Sequence, residues 1–101
     1  MDSIITDIFT AFKKIGSPFL LTVLGDHGMT EVGSHGGASA SETTIPMIFM
    51  SNNFREENDV GNMESVEQID FVPTISALLG LPSPNNNLGI PIHDLLFAFK
   101  Q

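Results

Sequence analysis

Three side chains that can bind a metal ion lie close together in a glycine-rich stretch of the chain. Asp26 and His27 are adjacent, and His35 follows eight residues after His27. Carboxylate oxygens and neutral imidazole nitrogens are ligands of catalytic zinc, with bonds of roughly 2.0–2.2 Å. Gly25 and Gly28 allow the sharp backbone turn that adjacent ligands need. The sequence therefore predicts a metal site built from Asp26, His27 and His35.

Other interpretations of the same stretch stay open. An Asp-His pair is also common as a surface ion pair or a helix cap. A nucleophilic triad with His27 and Asp26 is one alternative, since Ser34, Ser39 and Ser41 lie near them along the chain. This alternative is weaker because no Gly-x-Ser-x-Gly elbow follows a strand. A Walker phosphate loop is excluded because the Gly-Lys-Ser/Thr sequence is absent.

Two further titratable residues have less specific surroundings. Glu42 follows the glycine-rich stretch, and we expect it either to accept a hydrogen bond from a ligand histidine or to form an ordinary loop salt bridge. His93 lies in the apolar segment Ile90–Asp94, far from the other histidines in sequence. We expect His93 to be structural or exposed.

Two apolar segments flank the glycine-rich stretch and are predicted to position it. Residues 19–24 show no alternation of apolar and polar side chains, which is typical of a strand covered on both faces in a parallel sheet. Residues 45–50 form a second apolar strand. Open α/β sheets place their active sites beyond the carboxyl ends of strands, and the long loop 25–44 lies at such a place.

The first fifteen residues predict an amphipathic helix. Apolar side chains recur there at steps of three and four residues, Asp2 is placed to cap the helix, and Gly16 ends it. We expect this helix to cover a sheet. A helix followed by a buried strand is half of an α/β unit, so the fold class is predicted to be α/β.

The second half of the chain has less regular signals. Residues 51–63 predict an exposed loop, and residues 66–69 a short edge strand. Residues 70–80 predict a short helix that Asp70 caps. The apolar residues 88–99 lack caps, and we expect them to pack only against a part of the protein that this sequence does not contain.

Composition excludes several classes of function. The 101 residues carry a net charge of −8, so a nucleic-acid surface is not expected. There is no cysteine for a disulfide framework or a thiolate zinc site. The apolar runs are far shorter than the roughly 20 residues of a membrane-spanning helix. A signal peptide begins with a basic region that is followed by an apolar region. Asp2 and Asp7 lie at these positions, so no targeting signal is predicted within this sequence.

Three segments together resemble the GPI ethanolamine phosphate transferases of the alkaline phosphatase superfamily. They are Gly25–Gly37, Glu42 with Thr44–Pro46, and Gln68–Pro82, and the similarity extends over roughly residues 19–96. Among the three types in this family, the second is the most similar. The resemblance implies a fragment of an alkaline-phosphatase-like three-layer sandwich with a mostly parallel sheet. Residues 1–96 would be the metal-binding half of the catalytic domain, and residues 97–101 a tail toward a membrane region.

The resemblance also implies a metal content and a reaction. The complete site would hold two zinc ions, with Asp26 and His27 on the one that activates a threonine nucleophile and His35 on the other. Phosphoethanolamine would pass from phosphatidylethanolamine to a mannose of the GPI precursor glycolipid, on the lumenal side of the endoplasmic reticulum membrane. The implied partners are the upstream catalytic half, membrane helices and a small accessory membrane subunit.

No threonine of this chain matches the nucleophile of the family, so we expect the chain to be inactive alone. Two alternatives to a transferase stay open. One is another metal-dependent phosphodiesterase or phosphatase of the superfamily, and the other is a non-catalytic α/β module that keeps the metal loop as structure.

Overall fold

A computed structural model describes residues 1–55 and 65–100. These residues belong to two compact units, which divide between Asn52 and Asn53. Most of the predicted loop 51–63 lies outside the described residues. No helix within the described ranges is long and apolar enough to cross a membrane.

The first unit begins with helix α1, Asp2–Ile15, as the apolar periodicity predicts. Met1, and not Asp2, occupies the N-cap position, so Asp2 contributes its charge inside the first turn. Gly16 ends the helix in the left-handed conformation with φ of 78°. An L side chain rarely adopts this backbone, which explains why a glycine stands there.

Helix α1 is anchored by aromatic contacts. The rings of Phe9 and Phe12 lie 5.5 and 5.3 Å from the ring of Phe19, just before the first strand. No residue of α1 is buried, and most of its apolar stripe faces solvent. The expectation that α1 covers a sheet is therefore not fulfilled within this unit.

The two predicted strands pair with each other. Strand β1, Leu21–Leu24, and strand β2, Met47–Met50, form a two-stranded antiparallel sheet in which Leu21 lies opposite Met50. The α/β class is confirmed, but the prediction of a parallel arrangement is wrong for this pair. Apolar composition reports burial and not strand direction, and a returning loop without a crossover favours antiparallel pairing.

Two hydrogen bonds of the Asn52 side chain and a short helix complete the first unit. The side chain of Asn52 accepts a hydrogen bond from the Phe19 N–H (3.3 Å) and donates one to the Ser17 carbonyl (3.1 Å), which ties the approach to β1 to the end of β2. Helix α2, Ala40–Thr43, interrupts the connection between the strands. The predicted long loop is therefore partly helical.

The second unit begins with a 3-10 turn, Gln68–Asp70, followed by helix α3, Phe71–Leu78. The prediction of an edge strand at 66–69 is wrong. In a capping box that favours the helical turn, the Glu67 carboxylate accepts a hydrogen bond from the Asp70 N–H and the Asp70 carboxylate accepts one from the Glu67 N–H. Asp70 occupies the N-cap of α3 as predicted, although its carboxylate bonds to the Glu67 and Ile90 N–H groups and not to the start of α3.

Helix α4, His93–Ala98, packs inside the second unit. Ile92, Leu95 and Ala98 are buried, and so is Thr74 of α3. The expectation that residues 88–99 pack only against a missing part is therefore wrong. The Thr74 hydroxyl accepts a hydrogen bond from the Ile92 N–H (2.8 Å), which fixes the chain as it enters α4.

Candidate metal centre

The glycine-rich loop leaves β1 and is held against α2. The Gly28 N–H donates a hydrogen bond to the Glu42 carbonyl at 2.8 Å. A Cβ atom at Gly28 would lie 2.0 Å from the Ser41 carbonyl oxygen, well inside any real contact. Only glycine fits at this close approach, so Gly28 allows the backbone after His27 to lie directly against α2.

A tight turn brings His35 back toward His27. The Thr30 N–H donates to the Ser34 carbonyl at 2.9 Å, and the Ser34 N–H donates to the Thr30 hydroxyl at 3.0 Å. Gly33 adopts φ of 82° inside the turn, which favours glycine there. The chain therefore reverses over five residues and returns the second histidine to the first.

The structure brings the three predicted ligand residues together. The rings of His27 and His35 stack with centroids 4.8 Å apart and planes inclined by 13°. The Oδ2 atom of Asp26 lies 3.6 Å from Nε2 of His27. The other carboxylate oxygen of Asp26 accepts a hydrogen bond from the His27 N–H at 3.0 Å. All three side chains thus form one exposed cluster at the end of β1.

The hydrogen bonding of His27 assigns roles to its two ring nitrogens. Nδ1 lies 2.9 Å from the carbonyl oxygen of Gly28. Because a carbonyl only accepts hydrogen bonds, Nδ1 must carry the proton. In the neutral ring, Nε2 then carries the lone pair and faces the Asp26 carboxylate. A backbone acceptor on one ring nitrogen is also the usual companion of a metal on the other.

Asp26 is held in its charged form. Backbone hydrogen bonds, first from the N–H of Asp26 itself and then from that of His27, hold the pKa of the Asp26 carboxyl below its ordinary value of 3.8. The neighbouring His27 and His35 act in the same direction. A carboxylate is the form that binds a metal ion, so the donor is present at neutral pH.

The donor atoms fit zinc in type and in spacing. Two ligand atoms of a tetrahedral zinc ion, each about 2.0–2.2 Å from it, lie roughly 3.3–3.6 Å apart. The 3.6 Å between Asp26 Oδ2 and His27 Nε2 agrees with this spacing. Within residues 1–55 and 65–100, however, no three carboxylate or imidazole side chains are arranged around one common metal position. The ring of His35 is stacked on that of His27, so its nitrogens lie in a different plane from those of His27.

Glu42 has a different role from either of the predicted ones. It is buried, and its carboxylate accepts hydrogen bonds from the Ser39 hydroxyl and from the Gly37 N–H, the latter at 3.0 Å. These bonds, led by that of Ser39, hold the pKa of the Glu42 carboxyl below its ordinary value. Within the described residues its bonds go neither to an imidazole nor to a basic side chain, so both predictions for Glu42 are wrong.

The remaining candidates lie outside the cluster. The Ser39 hydroxyl bonds to Glu42 and to the Ser41 hydroxyl (3.1 Å), which gives no support to a serine triad with His27. His93 is exposed, as predicted, and its ring lies 6.3 Å from that of Phe97 in the second unit.

The contact between Glu42 and the glycine-rich stretch was not predicted from the sequence. The segment 39–42 reads Ser-Ala-Ser-Glu, which matches the Ser-x-x-Glu pattern of a helix start. Ser39 is indeed the N-cap residue of α2. This pattern was the signal that would have located α2 and paired Ser39 with Glu42.

Comparison with known proteins gives a consistent set of relatives. The chain is 41% identical to GPI ethanolamine phosphate transferase 2 of Debaryomyces hansenii over 99% of the chain. It is 40% identical to that of Saccharomyces cerevisiae and 39% identical to that of Aspergillus oryzae, each over 95% of the chain. No family model and no solved structure matches the chain.

The match covers a small part of each relative. The chain spans 12% of the Debaryomyces hansenii protein and 14% of the Saccharomyces cerevisiae protein. The resemblance seen in the sequence motifs, including the similarity to the second type, is confirmed by these matches. The chain therefore belongs to the GPI ethanolamine phosphate transferase 2 family and corresponds to one segment of its members.

Proposed function

We propose that this chain contributes zinc ligands to the catalytic domain of a phosphoethanolamine transferase that acts in GPI anchor biosynthesis. In the complete enzyme, phosphoethanolamine moves from phosphatidylethanolamine to a mannose of the GPI precursor at the lumenal face of the endoplasmic reticulum membrane. The domain is an alkaline-phosphatase-like three-layer sandwich with two zinc ions. The rest of that domain, the membrane helices and a small accessory membrane subunit lie outside the matched segment.

One observation carries the proposal: the segment matched to the transferases folds so that Asp26, His27 and His35 form a single cluster. The near-parallel rings support two separate ions. Imidazole lone pairs lie in the ring plane, and the two planes are at most 4.8 Å apart. The zinc ions of dinuclear sites are about 3.5–4 Å apart. His27 and His35 are therefore suited to neighbouring ions and not to one shared ion.

Each residue has a defined task in this proposal. Asp26 supplies a carboxylate that its backbone hydrogen bonds keep ionised. His27 presents Nε2 beside that carboxylate while Gly28 holds the proton on Nδ1. His35 supplies a second imidazole from the returning loop. Zinc, when bound, would lower the pKa of a hydroxyl nucleophile and neutralise charge on phosphoryl oxygens.

A chimeric transferase tests the proposal. The 101 residues replace the matched segment of the Saccharomyces cerevisiae relative, and the purified chimera is assayed for transfer of phosphoethanolamine to a GPI precursor. We expect transfer by the chimera and a loss of about 100-fold or more in His27→Ala and in His35→Ala, since each removes a group that supports charge stabilisation. His93→Ala removes an exposed histidine outside the cluster and is the matched control.

The outcomes separate the proposal from its alternatives. Hydrolysis of simple phosphate esters without transfer would favour another phosphodiesterase or phosphatase of the superfamily. Full transfer by His27→Ala and His35→Ala would favour a non-catalytic module in which the loop is structural. Either result would overturn the proposal.

A further inference from the structure

Glu42 contacts the backbone just after each of the two histidines. Its carbonyl accepts a hydrogen bond from the N–H of Gly28, the residue that follows His27. Its carboxylate accepts one from the N–H of Gly37, two residues after His35. A single residue thus joins the two segments that carry the imidazole rings.

The Gly28 bond reaches the His27 ring through one further contact. The carbonyl oxygen of Gly28 is the partner of His27 Nδ1 at 2.9 Å, while its N–H is held by Glu42 at 2.8 Å. Gly28 cannot move away from α2 without moving the acceptor that orients the ring. The Ser41 carbonyl packs so closely against Gly28 that even a methyl group is excluded there.

The carboxylate of Glu42 holds the His35 side through Gly37. A Cβ atom at Gly37 would lie 2.6 and 2.8 Å from the two carboxylate oxygens, so the segment after His35 lies directly on this side chain. Ser39 donates its hydroxyl to the second oxygen and keeps the carboxylate aimed at Gly37. Because Glu42 is buried, water does not readily replace these bonds.

We infer that Glu42 is a positioning residue that sets the face-to-face arrangement of His27 and His35 and, on the function proposed above, their readiness to bind zinc. Within the described residues, none of its hydrogen bonds goes to either ring. Its backbone carbonyl acts through Gly28, and its side chain, which the substitutions below change, acts through Gly37. Partners outside the ligand set whose loss misplaces a ligand typically cost 10–100-fold in metal affinity.

Three substitutions separate the contribution of hydrogen bonding from that of charge. Glu42→Gln loses the charge but keeps an oxygen for the Gly37 N–H, and its amide can donate to Ser39. Glu42→Asp keeps the charge but is shorter by one methylene and does not reach Gly37. Glu42→Ala removes both. Glu31→Ala removes an exposed charge from the same loop and is the matched control.

The first measurement is the nuclear Overhauser effect between the ring protons of His27 and His35 in the metal-free 101-residue chain. We expect the cross-peak in the wild type, Glu42→Gln and Glu31→Ala, and its loss in Glu42→Ala and Glu42→Asp. The second is the zinc dissociation constant of the chimeric transferase with the same substitutions, measured by competition with a chromophoric chelator. We expect it to rise about 10-fold or more in Glu42→Ala and Glu42→Asp, and to stay within a few-fold of wild type in the other two variants.

The two measurements distinguish a failure of the positioning role of Glu42 from a failure of the proposed function. A ring cross-peak and zinc affinity that survive in Glu42→Asp would overturn the role of Glu42 and leave the proposed function standing. Loss of the cross-peak in Glu42→Asp, together with a chimeric transferase that binds no zinc, would support the positioning role and contradict the proposed function. The amide spectrum of β1 and β2 shows whether a variant is folded. If Glu42→Ala unfolds, the comparison of Glu42→Asp with Glu42→Gln decides.

Discussion

The imidazole rings of His27 and His35 lie face to face, with centroids 4.8 Å apart, although eight residues separate them in the chain. The turn between Thr30 and Ser34 and the contact of Gly28 with α2 bring them together. The arrangement therefore depends on glycines and backbone hydrogen bonds, and single substitutions away from the rings are expected to disturb it.

Gly28→Ala should destabilise the chain. The added methyl group would lie 2.0 Å from the Ser41 carbonyl oxygen, so the loop must move and the hydrogen bond to Glu42 must lengthen. We expect a loss of about 1–3 kcal/mol in the free energy of unfolding, the usual range for overpacking, measured by chemical denaturation. Gly25→Ala is the matched control, because its methyl group would meet Ile45 at an ordinary 3.4 Å. Equal stability of the two variants would contradict the close approach at Gly28.

Thr74→Val should destabilise the second unit. Thr74 is 0% exposed, and its hydroxyl accepts the Ile92 N–H at 2.8 Å and donates to the Asp70 carbonyl at 2.5 Å. Valine has nearly the same shape but leaves the buried N–H without a partner, at a cost of about 1–3 kcal/mol. Thermal unfolding of Thr74→Val and of the exposed Thr10→Val gives the comparison. A Thr74→Val chain as stable as Thr10→Val would show that this hydrogen bond is unimportant.

Local signals predicted two of the four helices, α1 and α3, and missed α2 and α4. The periodicity of α1 and its glycine stop are contained in the first sixteen residues, and α3 begins and ends near its predicted signals. Strand direction depends on how distant segments meet, so the apolar composition of β1 and β2 did not predict their antiparallel pairing. The proximity of Asp26, His27 and His35 was expected from residue type and from the glycines around them, whereas the contacts of Glu42 are not shown by sequence spacing.

Helix α1 should cause self-association of the chain. Its apolar stripe is largely exposed, with 60% of Ile4 and 68% of Ile15 accessible to solvent. Apolar surface of this kind favours association in water. Analytical ultracentrifugation over a range of concentrations should show oligomers for the wild type and a shift toward monomer for the double variant Ile4→Glu with Ile8→Glu. Thr10→Glu adds a charge to the other side of the helix and should leave association unchanged. A wild type that stays monomeric at high concentration would contradict this prediction.

The stability conferred by Glu42 should depend on pH. Hydrogen bonds, led by that from Ser39, lower the pKa of the folded-state carboxyl from its ordinary 4.5. A lowered folded-state pKa stabilises the fold fully above the unfolded-state value, and this contribution is lost as pH falls through the folded-state value. The melting temperature of the wild type should exceed that of Glu42→Gln by a constant amount near neutral pH, and the difference should shrink below about pH 4.5. A difference that stays constant into strong acid would exclude this contribution.

The central claim is that Asp26, His27 and His35 bind zinc in the complete enzyme, and the zinc content of the purified chimeric transferase tests it most directly. The account predicts about two zinc ions in the chimera and in its His93→Ala variant, and fewer in Asp26→Ala, His27→Ala and His35→Ala. Absence of zinc from the chimera, or equal zinc content in all four variants, would contradict it.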